Sequence, residues 1–230
     1  MKWYDALVAE GLETDGQRRW WFANLNSGGE GKGDDHPPEL TKVAAIEKSV
    51  NMGKAHAKQV SSDDKLAVRR YTSGAYHAIN QYLRDNGNTE GATKVGLSEA
   101  KVQEHIASLD RATDRPVGEA LTMYRGLKLT PEDYASLKPG SVMTDKGFTS
   151  TSFTRNNAEG FASAGANSVL LKVQLSPEDK GAALQSMSAK RSEYEMLLPR
   201  GQSYKVTSVT TEKSTVYGSN IKVVTVRVVK

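Results

Sequence analysis

Ile221-Lys222-Val223-Val224-Thr225-Val226-Arg227-Val228-Val229 is the clearest strand signal in the chain, a run rich in β-branched residues that suits a pleated surface. Working back from it, Tyr204 to Thr210, Glu195 to Leu198, Ser168 to Leu175, Phe148 to Phe153 and Leu121 to Leu127 also read as strands, each bounded by turn residues. Thr130-Pro131 opens a short helix with proline in its first turn, and Lys138-Pro139-Gly140 is a turn. Upstream the period changes. Val43, Ile46 and Val50 recur at helical spacing. Ser61 to Asp64 offers N-caps for a helix running to about Leu83 or Arg84, stopped by Asp85-Asn86-Gly87-Asn88. Ser98 caps another, with Val102, Ile106 and Leu109 on one face. Helices followed by strands predict an α+β fold, an N-terminal helical lobe packed on a β-sandwich-like core.

All three tryptophans, Trp3, Trp20 and Trp21, stand in the first 25 residues, and Asn26 to Pro38 is a Gly-, Asp- and Pro-rich linker. We therefore divide the chain into a Trp-containing segment with its linker, 1–38, and a main domain, 39–230. The helical part of that domain covers about 39–115 and its β-rich part about 116–230.

The chain has 230 residues and no cysteine, which removes disulfides, thiolate metal sites and cysteine nucleophiles from consideration. No apolar run reaches membrane-spanning length, and the first residues lack a signal-peptide core, so any export needs another route. The net charge of +4 is compatible with an anionic ligand, an acidic partner or nucleic acid. No run of five basic residues and no RNA-binding aromatic motif singles out the last. The four histidines, His36, His56, His77 and His105, stand in no triad relation to any serine.

Three short motifs remain. Tyr124-Arg125-Gly126 offers a guanidinium fork suited to phosphate oxygens, beside a glycine that lets a ligand approach the backbone. Phe148-Thr149-Ser150-Thr151-Ser152, if extended, places Phe148, Ser150 and Ser152 on one face. Glu193-Tyr194-Glu195, if extended, projects two carboxylates to the same side and Tyr194 to the other. The small polar stretch Gln185 to Ser192 before it reads as a mobile loop.

Taken jointly, with the trailing Leu197-Leu198-Pro199-Arg200-Gly201 turn, these motifs resemble the Arg/Ser-Thr-Ser/Glu-x-Glu pattern of mono-ADP-ribosyltransferases, especially the catalytic domains of binary actin-modifying toxins and related phage or bacterial effectors. The resemblance covers roughly residues 60 to 230. It implies the ADP-ribosyltransferase fold and NAD+ as a substrate, with no metal. Arg125 and Gly126 would hold NAD+, Ser150 would position the catalytic glutamate, and Glu195 would bind the ribose and stabilise its cationic transition state. Glu193 would face the acceptor; glutamate rather than glutamine there implies arginine. Tyr71, Asn80 and Phe161 resemble further NAD+ contacts, while Tyr76 and Tyr194, with Glu193, resemble target-recognition positions.

The implied partner is a protein bearing an acceptor arginine, inside the cytoplasm of a target or host cell. There is room for an immunity or delivery partner as well. The first 38 residues are too few for the adaptor-like domain of the binary toxins, so entry through a translocation pore is not expected. Water (NAD+ glycohydrolase) or RNA is the competing acceptor. A virion or interaction protein that retains the fold is the competing non-enzyme reading.

Overall fold

The computed structural model describes residues 37, 39–87, 97–162 and 165–229, so the Trp-containing segment expected at 1–38 lies outside them except for Pro37. Among these residues four α-helices come first: α1 (Lys42–Gln59), α2 (Ser62–Arg70), α3 (Tyr76–Arg84) and α4 (Glu99–Thr113). The β-rich half follows in the order β1 (Leu121–Lys128), α5 (Pro131–Ser136), β2 (Val142–Asp145), β3 (Thr149–Ser152), α6 (Arg155–Ala162), β4 (Ser168–Leu175), β5 (Ala182–Ala183), β6 (Glu195–Leu198), β7 (Gln202–Lys213) and β8 (Asn220–Val228). The division into a helical part and a strand-rich part is as expected from the change of period.

The caps behave as their chemistry requires. Ser61 Oγ accepts the Asp64 N–H at 3.1 Å, Ser98 Oγ the Lys101 N–H at 3.4 Å and Thr130 Oγ1 the Asp133 N–H at 3.1 Å, each satisfying a donor that the first helical turn leaves open. Val102, Ile106 and Leu109 are buried on α4 as their spacing predicts. On α1 the predicted apolar stripe is not the buried face: Val43 is 64% exposed, and Ala45, Ser49, Met52, Gly53 and His56 face inward. The reason is close approach. A Cβ on Gly53 would stand 2.8 Å from Gln185 Cβ, so at this point the face admits only glycine, with Met52 and His56 packing beside it.

The helix expected from Ser61 to about Arg84 is also divided. A π-helical turn at Tyr71–Ala75 separates α2 from α3, and Gly74 sits there at φ 136°, a conformation closed to residues with a side chain. The break lets Tyr71 and Asn80, on opposite sides of it, turn toward the same place.

The eight strands pair in the order β2-β7-β8-β4-β1-β3-β6-β5, all antiparallel except β4 with β8. Inward-facing residues from distant parts of this order, such as Leu171 and Val173 on β4 and Met196 and Leu198 on β6, belong to one apolar core. The sheet therefore folds over itself as a sandwich does. A second core joins the helical lobe to the outer face of β6 through Ile79, Leu109, Phe148 and Leu197. A third seats α6 on β1, β4 and β8 through Ala158, Ala162, Tyr124 and Leu170. The site lies where β1, β3 and β6 run beside the helical lobe.

Candidate active site

Strand pairing assembles the three motifs. Ser152 on β3 is paired with Tyr124 on β1 and with Glu195 on β6, so Arg125, Ser150 and Glu195 are brought together from positions far apart in the chain. Arg125 Nη1 donates to the Ser150 carbonyl at 3.0 Å, which ties the guanidinium to the strand that carries the serine.

Ser150 is held from the helical lobe. Asn80 Nδ2 donates to the Tyr71 hydroxyl at 3.0 Å, and that hydroxyl lies 3.4 Å from Ser150 Oγ. Because Tyr71 accepts from Asn80, its own proton is free to point at Ser150, and the Ser150 proton is free for Glu195. Asn80 also fixes the entry to β3. Its Oδ1 accepts the Phe148 N–H at 2.9 Å, and its Nδ2 reaches the Phe148 carbonyl at 3.4 Å. Tyr71 is 1% exposed and Asn80 6% exposed, so both act in the wall of the site. Burial pushes the Tyr71 phenol up to about 12, keeping it protonated and able to donate.

Glu195 is 6% exposed. Burial raises its carboxyl from the usual range to about 7; the Glu193 charge adds to the rise, while the Ser150 hydrogen bond and the Arg125 charge oppose it. A carboxylate kept from water and aimed by a hydroxyl is suited to stabilising positive charge that develops beside it.

Glu193 is not on the extended segment expected for it. It ends a 3-10 turn, Arg191–Glu193, and Tyr194 takes the left-handed conformation at φ 47° before β6 begins at Glu195. The turn is fixed from β3: Ser152 Oγ donates to the Glu193 carbonyl at 2.8 Å, and the Phe153 N–H donates to the Tyr194 carbonyl at 2.9 Å. Glu193 remains partly exposed, with burial raising its carboxyl and Lys190 lowering it. Tyr194 packs against the main core. The preceding stretch, expected to be a mobile loop, is anchored in the middle. Met187 is buried in the helix-facing core, and the Ala189 N–H donates to Thr72 Oγ1 at 2.9 Å.

Of the other expected residues, Tyr76 lies against the cluster, its ring centroid 6.1 Å from that of Tyr71. Tyr76 is 39% exposed and stacks on His77, with ring centroids 3.9 Å apart. Phe161 stands on the outer side of α6, 61% exposed. Gly126 is needed for packing: a Cβ there would lie 1.9 Å from the Ala158 carbonyl oxygen, so α6 fills the space beside that face of β1.

Two residues outside the three motifs, Arg84 and Asp145, complete the surroundings of Arg125. Asp145 accepts a two-pronged hydrogen bond from Arg84, at 3.0 and 2.9 Å, and its Oδ2 lies 3.5 Å from Arg125 Nη2. Its Oδ1 also accepts the Gly147 N–H at 2.9 Å. That last contact is an Asx turn, and Asp145-Lys146-Gly147 was its legible signal. Among the described residues no cluster of three metal-ligating side chains occurs, and no helix is long and apolar enough to cross a membrane.

Known proteins resemble this chain in sequence and in fold. A provisionally named NAD(+)–arginine ADP-ribosyltransferase, Mav, of Mycobacterium avium (strain 104) is 29% identical over 204 residues, 84% of this chain. The chain spans only 23% of Mav's length. Plx2a, an ADP-ribosyltransferase toxin from Paenibacillus larvae, has a similar fold with a TM-score of 0.66 at 21% identity, over 82% of this chain and 96% of that one. So has the ADP-ribosylating toxin BECa of a C. perfringens binary enterotoxin, solved with NADH: TM-score 0.66, 21% identity, 81% of this chain and 48% of that one. The sequence model of the ADP-ribosyltransferase exoenzymes matches residues 49–229. A match over that much of the chain decides the question of family: this protein belongs to the ADP-ribosyltransferase exoenzymes.

Proposed function

We propose that the chain transfers ADP-ribose from NAD+ to an arginine side chain of a target protein. The observation that carries the reading is Glu195, buried beside Ser150 and Arg125 with Glu193 two residues before it. Family membership and the arginine acceptor in Mav's name support it.

In this reading Arg125 binds the NAD+ diphosphate. The bond from ribose C1′ to the nicotinamide nitrogen breaks, and its electron pair leaves with neutral nicotinamide. The positive charge left on the sugar is met by the Glu195 carboxylate, oriented by Ser150. A guanidine nitrogen of the acceptor then forms the new bond to C1′ and gives up a proton. Glu193 takes that proton, and its raised pKa makes it the stronger base for the purpose. Action in the cytoplasm of a target or host cell belongs to the same reading.

The test separates the two carboxylates. Nicotinamide release and labelling of protein or of a free arginine analogue are measured together. Glu195→Gln is expected to lose both by at least about a hundredfold, the scale on which removing one transition-state charge partner acts. Glu193→Gln is expected to keep nicotinamide release and lose arginine labelling. Undiminished labelling by Glu195→Gln would sink the assignment. Release without any labelled arginine in wild type would favour water as acceptor.

A further inference from the structure

Arg125 faces two carboxylates, and an anion binds there only if its positive charge survives them. Glu195 is close enough for Arg125 to pull its pKa down. Asp145 Oδ2 is 3.5 Å from Arg125 Nη2. One guanidinium between two ionised carboxyls would leave a net negative charge facing a diphosphate.

Arg84 changes this count. It stands at the end of α3, one turn after Asn80 on the same helix face. Asn80 clasps the backbone of Phe148, while Arg84 clasps the Asp145 carboxylate through both Nε and Nη2. The Gly147 N–H takes a further lone pair of Oδ1. Asp145 is therefore satisfied by Arg84 and its own turn before Arg125 is considered, and its longer contact to Arg125 aligns without capturing. With Arg84 counted, two guanidiniums balance the two carboxylates Asp145 and Glu195; without it the same group would be net negative. Arg125 uses one donor on the Ser150 carbonyl and one loosely on Asp145, so most of its five donors remain.

We propose that Arg84 is a positioning residue that acts through Asp145: it neutralises that carboxylate, so that Asp145 can orient Arg125 while Arg125 keeps its charge for the diphosphate. The inference rests on the reading of Arg125 given above. It differs from a direct role for Arg84, because Arg84 would be dispensable once Asp145 lost its charge.

A double-mutant cycle tests this, with calorimetric binding of NAD+ and of ADP-ribose as the readout. Arg84→Met leaves Asp145 uncompensated and is expected to weaken both ligands about tenfold, a loss that shrinks as salt rises. Adding Asp145→Asn to Arg84→Met is expected to bring affinity back to within about threefold of wild type, a strongly non-additive result. Arg84→Lys keeps the charge without the fork and is expected to stay within about threefold of wild type; it serves if the methionine variant does not fold. A double variant as weak as Arg84→Met, or weaker, overturns the inference, since Arg84 then touches the ligand or merely holds the fold. Wild-type protein that binds neither ligand overturns the reading of Arg125, and the inference with it.

Discussion

At the scale of the residue, Glu195 sets activity against stability. Its carboxyl titrates near 7 because it is buried, yet stabilising a sugar cation requires it ionised. The acid limb of kcat/KM, which reports the free enzyme, is therefore expected near pH 7. Bound NAD+ brings a cationic nicotinamide to the carboxylate and lowers its pKa, so the acid limb of kcat is expected at lower pH. Coincident limbs in the two profiles, or a limb near the ordinary carboxylate range, would remove Glu195 from the role. Stability follows the opposite sign. A folded pKa of about 7 against an ordinary 4.5 means that the native state holds the proton more tightly. Its contribution is full below pH 4.5 and is lost as pH rises through 7. Glu195→Gln, which cannot ionise, is expected to unfold at higher denaturant than wild type at about pH 8, by about 2 kcal/mol, with little difference at about pH 4.

At the scale of the element, α6 and β1 meet without room for a methyl group. Gly126 pairs with Leu170 in the sheet while the Ala158 carbonyl lies over its Cα. Gly126→Ala is expected to force α6 outward and cost about 1–3 kcal/mol, read as a lower thermal midpoint. An unchanged midpoint would show that α6 rests on β1 more loosely than the structure places it. This junction also shows what the sequence made legible. Tyr124-Arg125-Gly126 was readable as a site strand, but the glycine's purpose depends on a helix that begins 29 residues after it. Long strands such as β4 and β8 could be read from periodicity. The two residues of β5 are too short to show one, and β2, at the edge of the sheet, has no buried face to mark it. On α1 the stripe of Val43, Ile46 and Val50 misled, because the close contact at Gly53 turns the neighbouring face inward. Arg125, Ser150 and Glu195 were legible because each sits in a local motif. The Arg84–Asp145 clasp was not, because its partners are 61 residues apart and neither motif looks like a site alone.

At the scale of the whole molecule, the helical lobe and the sheet carry buried groups that titrate in opposite directions. His56 on α1 accepts the Ala183 N–H of β5 through Nδ1 at 2.9 Å, which only the neutral ring can do. Burial lowers its pKa, and the nearby Arg115 lowers it further. His105, 3% exposed on α4, is lowered by burial and by Arg70. For both, the unfolded state binds the proton more readily, so their contribution is complete above pH 6.5 and is lost below it, as pH falls through their lowered folded pKa. Glu195 contributes in the reverse sense over the same interval. The wild-type stability profile between about pH 5 and 7 is therefore expected to be shallow, as a partial cancellation of the two trends. Glu195→Gln removes the group that strengthens the fold toward acid and is expected to steepen the acid loss. His56→Gln keeps an acceptor for Ala183 but cannot take up a proton, and is expected to flatten the loss or reverse it. Urea midpoints at half-unit pH steps for the three proteins measure this. Parallel profiles would mean that neither group senses the join between lobe and sheet. Divergence in the stated directions would mean that acid loosens the lobe while it protonates Glu195, so that activity and the attachment of Tyr71 and Asn80 to the site decline over one pH range.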